Sequence, residues 1–295
     1  MDRLESMSVF AAVATAGSFS GAARALRMPL PTVSRKVAEL EAHLGAPLLL
    51  RSTRRLALTE PGALYLQDCR RLLQELADAE QRARGEHNLP RGELVLSAPL
   101  AFGRLHLLPV VGEFLKRHGE VSARLLLTDQ SLDLPADHVE AALRIGELPD
   151  SRLVAIRIGG VRQVVCASPG YLSARGRPAS PAQLARHDCI SFERLGDPGD
   201  WAFGDQARVR LRPRITVNTA EAAIDAALAG LGFTRVLSYQ VDAALKSGRL
   251  EAVLQRFEPP PLPVHLVHAS ESRPSAKLRA FIAFAPARLR SRLGG

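Results

Sequence analysis

No apolar run in this 295-residue chain approaches the roughly 20 residues needed to cross a bilayer, which argues against a membrane-spanning segment. Its start, MDRLESMSVF, lacks the basic-then-apolar order of a secretory signal, so a cytoplasmic protein is expected. Cysteine is scarce. Cys69, Cys166 and Cys189 form no zinc-like cluster, and an odd number argues against a disulfide framework. The settings QVVCAS and DCISF read as buried structural thiols, with a redox role for Cys166 or Cys189 left open. Lysine is scarcer still for a chain of net charge +9. Only Lys36, Lys116, Lys246 and Lys277 accompany arginine among the 39 basic residues. Residues 1–62 hold eight Lys or Arg against five acids, so most of the basic excess lies beyond them. Such a balance suits a nucleic-acid partner without locating it.

Catalytic and metal signatures are also missing. Gly230-Leu231-Gly232 is too short for a dinucleotide fingerprint, and Ser168-Pro169-Gly170 is not a nucleophile elbow. His265 and His268 would face opposite sides of a strand, which disfavours a shared metal. No Ser/His/Asp group can be defended from spacing. No enzyme, cofactor or metal is expected.

What the chain has is an ordered amino-terminal region. Leu4, Met7, Phe10, Ala11 and Ala14 recur at helical spacing and predict a first helix with one buried stripe, stopped by Gly17. Ser18 is placed to cap a second helix carrying Ala22, Ala23 and Leu26. A third helix has Pro31 in its first turn and buries Val33, Val37, Leu40 and Leu44. Pro31, Arg35 and Ala38 then share the opposite face, flanked by Thr32, Ser34 and Glu39. Small residues around one Arg suit close approach to base edges, where guanidinium can pair with guanine and hydroxyls can hold phosphate. After Gly45, Pro47–Leu50 reads as a short strand and Leu56–Leu58 as its return. Between them lies the basic tip Arg51, Ser52, Thr53, Arg54 and Arg55, a wing for a narrow minor groove.

The runs GSFSGAARAL, PTVSRKVAELEAHLGAPLL and RSTRRLALTEPG resemble the winged helix-turn-helix of LysR-type transcriptional regulators. The resemblance runs the length of the chain. It implies DNA contacts from Ser18, Leu30, Pro31, Thr32, Ser34 and Arg35, with Arg51, Thr53, Arg54 and Arg55 on the wing. One departure is Pro29-Leu30-Pro31, where the family often has Ser-Gln-Pro. Leu30 offers apolar contact, for instance to a thymine methyl, in place of an amide pairing with adenine.

From Thr59, a candidate N-cap, a helix of roughly 28 residues is expected to His87, about 42 Å long at 1.5 Å per residue. Its stripe is Leu64, Cys69, Leu72, Leu76, Ala79 and Ala83. The resemblance makes it a linker and dimerisation helix, with Leu64, Leu72, Leu76, Ala79 and Ala83 facing a second copy in a homodimer or tetramer. Asn88–Gly92 breaks it. The expected domains are therefore 1–58 for DNA, 59–89 for the linker and 90–295 for an effector-binding region.

Beyond Gly92 the pattern alternates strands and helices, which predicts α/β architecture with mainly parallel sheets. Strands are expected at Glu93–Ala98, Ser122–Thr128, Ala142–Ile145, Ile156–Ala167, Trp201–Phe203, Val209–Val217, Phe233–Leu237 and Val264–His268. The main helices are Phe102–His118, Ala220–Ala229, Tyr239–Ser247 and Ala276–Leu293. The blocks LRIGELPDSRLVA, VVCASPGYL, ARHDCI and LPVHLVHAS resemble the family's effector region, built like a type 2 periplasmic binding protein. That implies subdomain I at 92–161 and 266–295, subdomain II at 162–265, and crossovers near 158–164 and 262–268.

Ligands in such sheets bind outside the carboxyl ends of strands. Ser97, Ala98, Pro99, Leu100, Thr128, Gly146, Trp201, Asn218, Thr219 and Thr234 are the candidates. Their hydroxyls, amide and helix starts suit a small carboxylate or aromatic acid. Asp133–Glu140 departs from the family with Pro135 and His138, leaving one cleft wall open. The expected partners are double-stranded promoter DNA, a second copy, a small organic effector and, further off, RNA polymerase. The rival readings are a solute-binding protein, which has no use for Ser34, Arg35 or the wing, and an enzyme with a helical appendage, which needs a convergent acid, base or nucleophile in the cleft.

Overall fold

In a computed structural model the chain divides into two compact units, Met1–Leu89 and Pro90–Gly295. The structure describes residues 2–51, 56–83, 89–130, 132–134, 137–148, 153–192, 199–204, 208–270 and 274–294.

In the first unit, Asp2 accepts a bond from the Glu5 N–H and starts α1 (Arg3–Ala16), which Gly17 ends in the left-handed region at φ 63°. Ser18 caps α2 (Phe19–Leu26) through the Gly21 N–H at 3.1 Å. The turn passes through Arg27, itself left-handed, into α3 (Leu30–Leu44). Val9, Phe10, Val13, Ala22, Val33, Val37 and Leu40 form the core between the three helices. Two expected core positions are corrected. Leu4 and Leu44 are exposed, because each lies at a helix end beyond the reach of the other two helices, and Val13 fills the core instead.

The wing begins with β1 (Leu49–Arg51), antiparallel to β2 (Leu56–Leu58). The strand starts later than expected because the Leu48 and Leu49 N–H groups donate to Glu41 Oε1, at 2.8 and 3.1 Å. Thr59 then caps α4 (Glu60–Ala83) through the Gly62 N–H at 2.9 Å. Leu66 and Cys69 turn into the core, and Tyr65 packs against Phe10. Gly62 is required by proximity: a Cβ there would stand 1.9 Å from the Leu48 carbonyl oxygen.

The second unit opens with β3 (Gly92–Ala98), then α5 (Leu100–Phe102), a π-helical turn over Gly103–Leu107 and α6 (Leu108–Arg117). β4 (Val121–Leu127), β5 (Ala141–Ile145) and β6 (Leu153–Val161) follow. The chain then enters β7 (Gln163–Ala167), α7 (Pro169–Arg175), a 3-10 turn at Pro181–Arg186 and β8 (Cys189–Phe192). After β9 (Asp200–Ala202), β10 (Arg208–Arg210) and β11 (Ile215–Val217) come α8 (Ala220–Leu228) and β12 (Phe233–Leu237). α9 (Ser238–Lys246), β13 (Glu251–Val253), β14 (Leu262–Ala269) and α10 (Ala276–Arg292) complete it.

Two five-stranded sheets result, ordered β4-β3-β5-β14-β6 and β11-β8-β12-β7-β13. Both are mixed, which corrects the expectation of mainly parallel sheets. β3, β4 and β5 run parallel, as do β8, β11 and β12; the strands entering from the crossovers, β14 and β7, pair antiparallel on both sides. Two strand expectations change with this. Ile156–Ala167 splits at Arg162 into β6 and β7 of different sheets, and Val209–Val217 splits into β10 and β11. β8 and β13 were not anticipated, each being too short to show alternation.

Phe114, Phe281 and Phe284 cover the first sheet, where α6 meets α10. The amino end of α10 is pinned by Lys277, 2% exposed, whose ammonium donates to the Glu93 carbonyl at 2.7 Å and lies 3.4 Å from Glu140. Arg162 ties the first crossover to the start of α9 and to Glu258. Its backbone pairs with Ser238, and its guanidinium reaches Glu258 at 2.8 Å.

Candidate DNA interface and effector cleft

On α3, Val33, Val37 and Leu40 face inward, which turns Pro31, Arg35 and Ala38 to solvent with Thr32 and Ser34 half-buried beside them. Leu30 is 46% exposed at the first position of the helix. Arg35 is held along the helix by Glu39 at 3.1 Å, an exposed i,i+4 pair whose net worth is a few tenths of a kcal/mol. A phosphate or guanine edge therefore competes for this guanidinium at small cost. Lys36 points the other way, to Glu5 at 2.5 Å, and fastens α3 to α1. Ser18 spends its acceptor on the helix cap. Glu41, unnoticed in the sequence, sets the root of the wing. Thr53, Arg54 and Arg55 lie outside the described residues, as do the side chains of Arg51 and Ala83.

α4 shows two characters. Leu66 and Cys69 are buried, and burial first of all raises the Cys69 thiol to about 11. Leu64, Leu72 and Leu76 are exposed, at 62%, 38% and 37%, and Ala79 is exposed with them.

In the second unit the carboxyl ends of β3, β4 and β5 lie side by side. They bring together Ser97, Ala98, Pro99, Leu100, Thr128 and Gly146, with the Thr128 N–H bonded to the Ala98 carbonyl at 3.0 Å. Ser97 and Ala98 are buried strand residues; Leu100 is exposed, and Pro99, Thr128 and Gly146 are half-buried. Asn218 and Thr219 follow the carboxyl end of β11, and Thr219 caps α8 through the Ala222 N–H at 3.3 Å.

The two sets of strand ends face each other. Tyr239, just past the end of β12, packs edge-on to Phe102 at 5.2 Å and to His106 at 5.5 Å, and Phe102 follows the end of β3. Burial, then the charges of Asp129 and Glu221, raise the Tyr239 hydroxyl, which stays protonated. Burial, then Arg292, lower the His106 imidazole. Asp129 also accepts from the Leu100 N–H at 3.2 Å, the first amide of α5.

Two cleft candidates are corrected. Trp201 is 3% exposed within the core of the second sheet, with the Arg235 guanidinium 5.3 Å from its ring centre. Thr234 is fully buried in the amino half of β12, away from the carboxyl ends. The cysteines are also placed. Cys166 on β7 and Cys189 on β8 have β12 between them and belong to different core clusters, so their Cα atoms are about 9–10 Å apart at the usual strand spacing. That exceeds disulfide reach. Burial raises both thiols to about 12. Among the described residues no group of three or more His, Cys, Asp or Glu is placed to hold a metal, and no helix is long and apolar enough to cross a membrane.

A three-helix core with an exposed recognition face and a strand-pair wing, followed by two mixed α/β lobes around a cleft, defines a ligand-responsive DNA-binding protein. The chain belongs to the LysR family of transcriptional regulators. Residues 4–63 match the family described as bacterial regulatory helix-turn-helix protein, lysR family, and residues 87–290 match the LysR substrate binding domain. An HTH-type transcriptional regulator of Xanthomonas campestris pv. campestris is 36% identical, over 95% of this chain and 84% of that protein. The structure of CrgA, a LysR-type transcriptional regulator from Neisseria meningitidis, matches with a TM-score of 0.62 and 34% identity, over 99% of each chain. The full-length structure of AphB, a Vibrio cholerae virulence activator, matches with a TM-score of 0.64 and 26% identity, over 96% of this chain and 98% of that one. The rival reading as a solute-binding protein or enzyme gains no support from these relatives.

Proposed function

We propose that this regulator binds promoter DNA as a homodimer or tetramer in the cytoplasm, reading bases with the Leu30–Arg35 stretch of α3 and phosphates with the wing. The supporting observation is the exposed face Pro31-Arg35-Ala38, backed by an apolar cluster of Val33, Val37 and Leu40 and paired to Glu39. Leu64, Leu72, Leu76 and Ala79 supply the self-association face, being large or small apolar groups left in solvent. RNA polymerase is the partner that a promoter-bound form would meet.

The effector reading centres on Leu100, Thr128, Asn218 and Thr219 around the Phe102–His106–Tyr239 contact. Asp129 and Glu221 bear on Tyr239, and Asp129 already takes an amide at the start of α5. This acidic surrounding narrows the sequence expectation of an aromatic acid towards an aromatic, hydroxyl-bearing effector without a carboxylate at that point. Binding that favours one lobe arrangement shifts the regulator's population between states with different DNA contacts.

Footprinting on DNA around the chain's own coding region tests the reading. A protected, loosely inverted repeat is expected, and Leu72→Glu with Leu76→Glu should reduce it to weak half-site binding. Protection that is independent of sequence would sink the assignment of α3.

A further inference from the structure

The effector reading uses the carboxyl ends of β8, β11 and β12. Their amino ends carry a separate feature. Asp188 precedes β8, Arg214 precedes β11, and Ser168 follows β7, whose antiparallel course returns it to this same end. With Tyr171, Arg175 and Arg249 they line a depression of about 890 Å³, a size in the range of small-molecule sites.

Its chemistry is lopsided. Three guanidiniums face one carboxylate. Asp188 lies 3.5 Å from Arg214 and 3.9 Å from Arg175, so one acid holds two arginines side by side without a tight bond to either. Both arginine side chains remain open, 67% and 64% exposed. Arg249 is exposed and donates to a neutral partner, Ser247, at 3.1 Å. The Tyr171 hydroxyl accepts from the Asp188 N–H at 2.9 Å, and Ser168 Oγ accepts from the Tyr171 N–H at 3.3 Å. Both oxygens therefore retain a proton to donate into the depression.

We propose that this depression is a second ligand site, selective for a small dianion such as phosphate or a short dicarboxylate. Two charges match the excess of cation over carboxylate, and adjacent guanidiniums take such groups through paired N–H bonds. The site also draws on the basic charge that lies outside the DNA module: residues 90–295 hold 27 Lys or Arg against 20 acids.

Calorimetric titration of the full chain with inorganic phosphate and, separately, succinate tests this, with sodium chloride at matched ionic strength as the blank. Saturable binding of either probe is expected, and the two arms tell an inorganic from an organic dianion. Arg175→Gln with Arg214→Gln should weaken it by about tenfold or more, from the loss of charge-assisted bonds. Asp188→Asn removes the competing carboxylate and should tighten binding, a change that damage to the fold would not produce. Lys116→Gln, an exposed charge on α6, should leave affinity unaltered. Heats no larger than those of chloride overturn the proposal. So does equal weakening by Lys116→Gln, which would mean diffuse attraction, or an Asp188→Asn protein that binds no better.

Discussion

In the first unit the side chains proposed to meet DNA come largely from one short stretch, residues 30–35, laid on a three-helix core. In the second, the cleft is assembled from strand ends as far apart in sequence as Ser97 and Thr219, and several of its polar groups already serve the fold. The difference is one of division of labour. α3 separates an inward apolar face from an outward polar one, so recognition and stability use different residues. In the lobes the hydroxyls and carboxylates proposed to line the cleft also cap helices and tie loops.

The most disruptive way to probe that division is to strike the core behind the reading face. Phe10→Ala should cost about 3–5 kcal/mol through transfer and cavity terms, removing the first unit's unfolding transition and DNA binding together. Calorimetry should show the second unit's transition unmoved. Lys277→Met is the counterpart in the second unit. It leaves Glu140 without its cation and should lower that unit's stability by about 3 kcal/mol, the low end for breaking a buried pair. Gel shifts should then show DNA binding kept.

Arg35→Ala sharpens the comparison at a site with no part in the core. Loss of a bidentate base contact costs about 1–3 kcal/mol of discrimination, seen as relaxed selection at one operator base. Stability should barely change; an unfolding shift as large as that of Phe10→Ala would mean the face is structural. Arg54→Ala should weaken binding more uniformly and flatten its salt dependence.

The smallest effect concerns His106. Its folded value lies below the ordinary one, so the native state prefers neutral imidazole and the unfolded chain binds more protons at mildly acidic pH. Its contribution is fully present above the usual histidine value of about 6.5 and is lost as pH falls through the folded value. Melting of the second unit should therefore decline below that pH, and His106→Phe should flatten the decline. A profile unchanged by the substitution would remove His106 from the account.

Legibility follows the same divide. The caps at Ser18 and Thr59 and the inward stripe of α3 were readable because their partners lie within four residues along the chain. Glu41 was not, since the amides that donate to it, those of Leu48 and Leu49, lie beyond the end of its own helix. Trp201 and Thr234 were misplaced for a related reason. Residue type suggests a site, but only pairing of β12 with β7 and β8, and the Arg235 guanidinium over the indole, reveals that both are interior. The mixed sheets escaped because strand direction depends on where the chain crosses between lobes, which periodicity along one strand does not encode.

Gly62 has one last consequence. With main chain lying directly on the Leu48 carbonyl and no side chain as cushion, the root of the long helix and the root of the wing behave as a single casting. Any strain carried along that helix meets the strand pair where main chain touches main chain, a contact that leaves little slack at this joint.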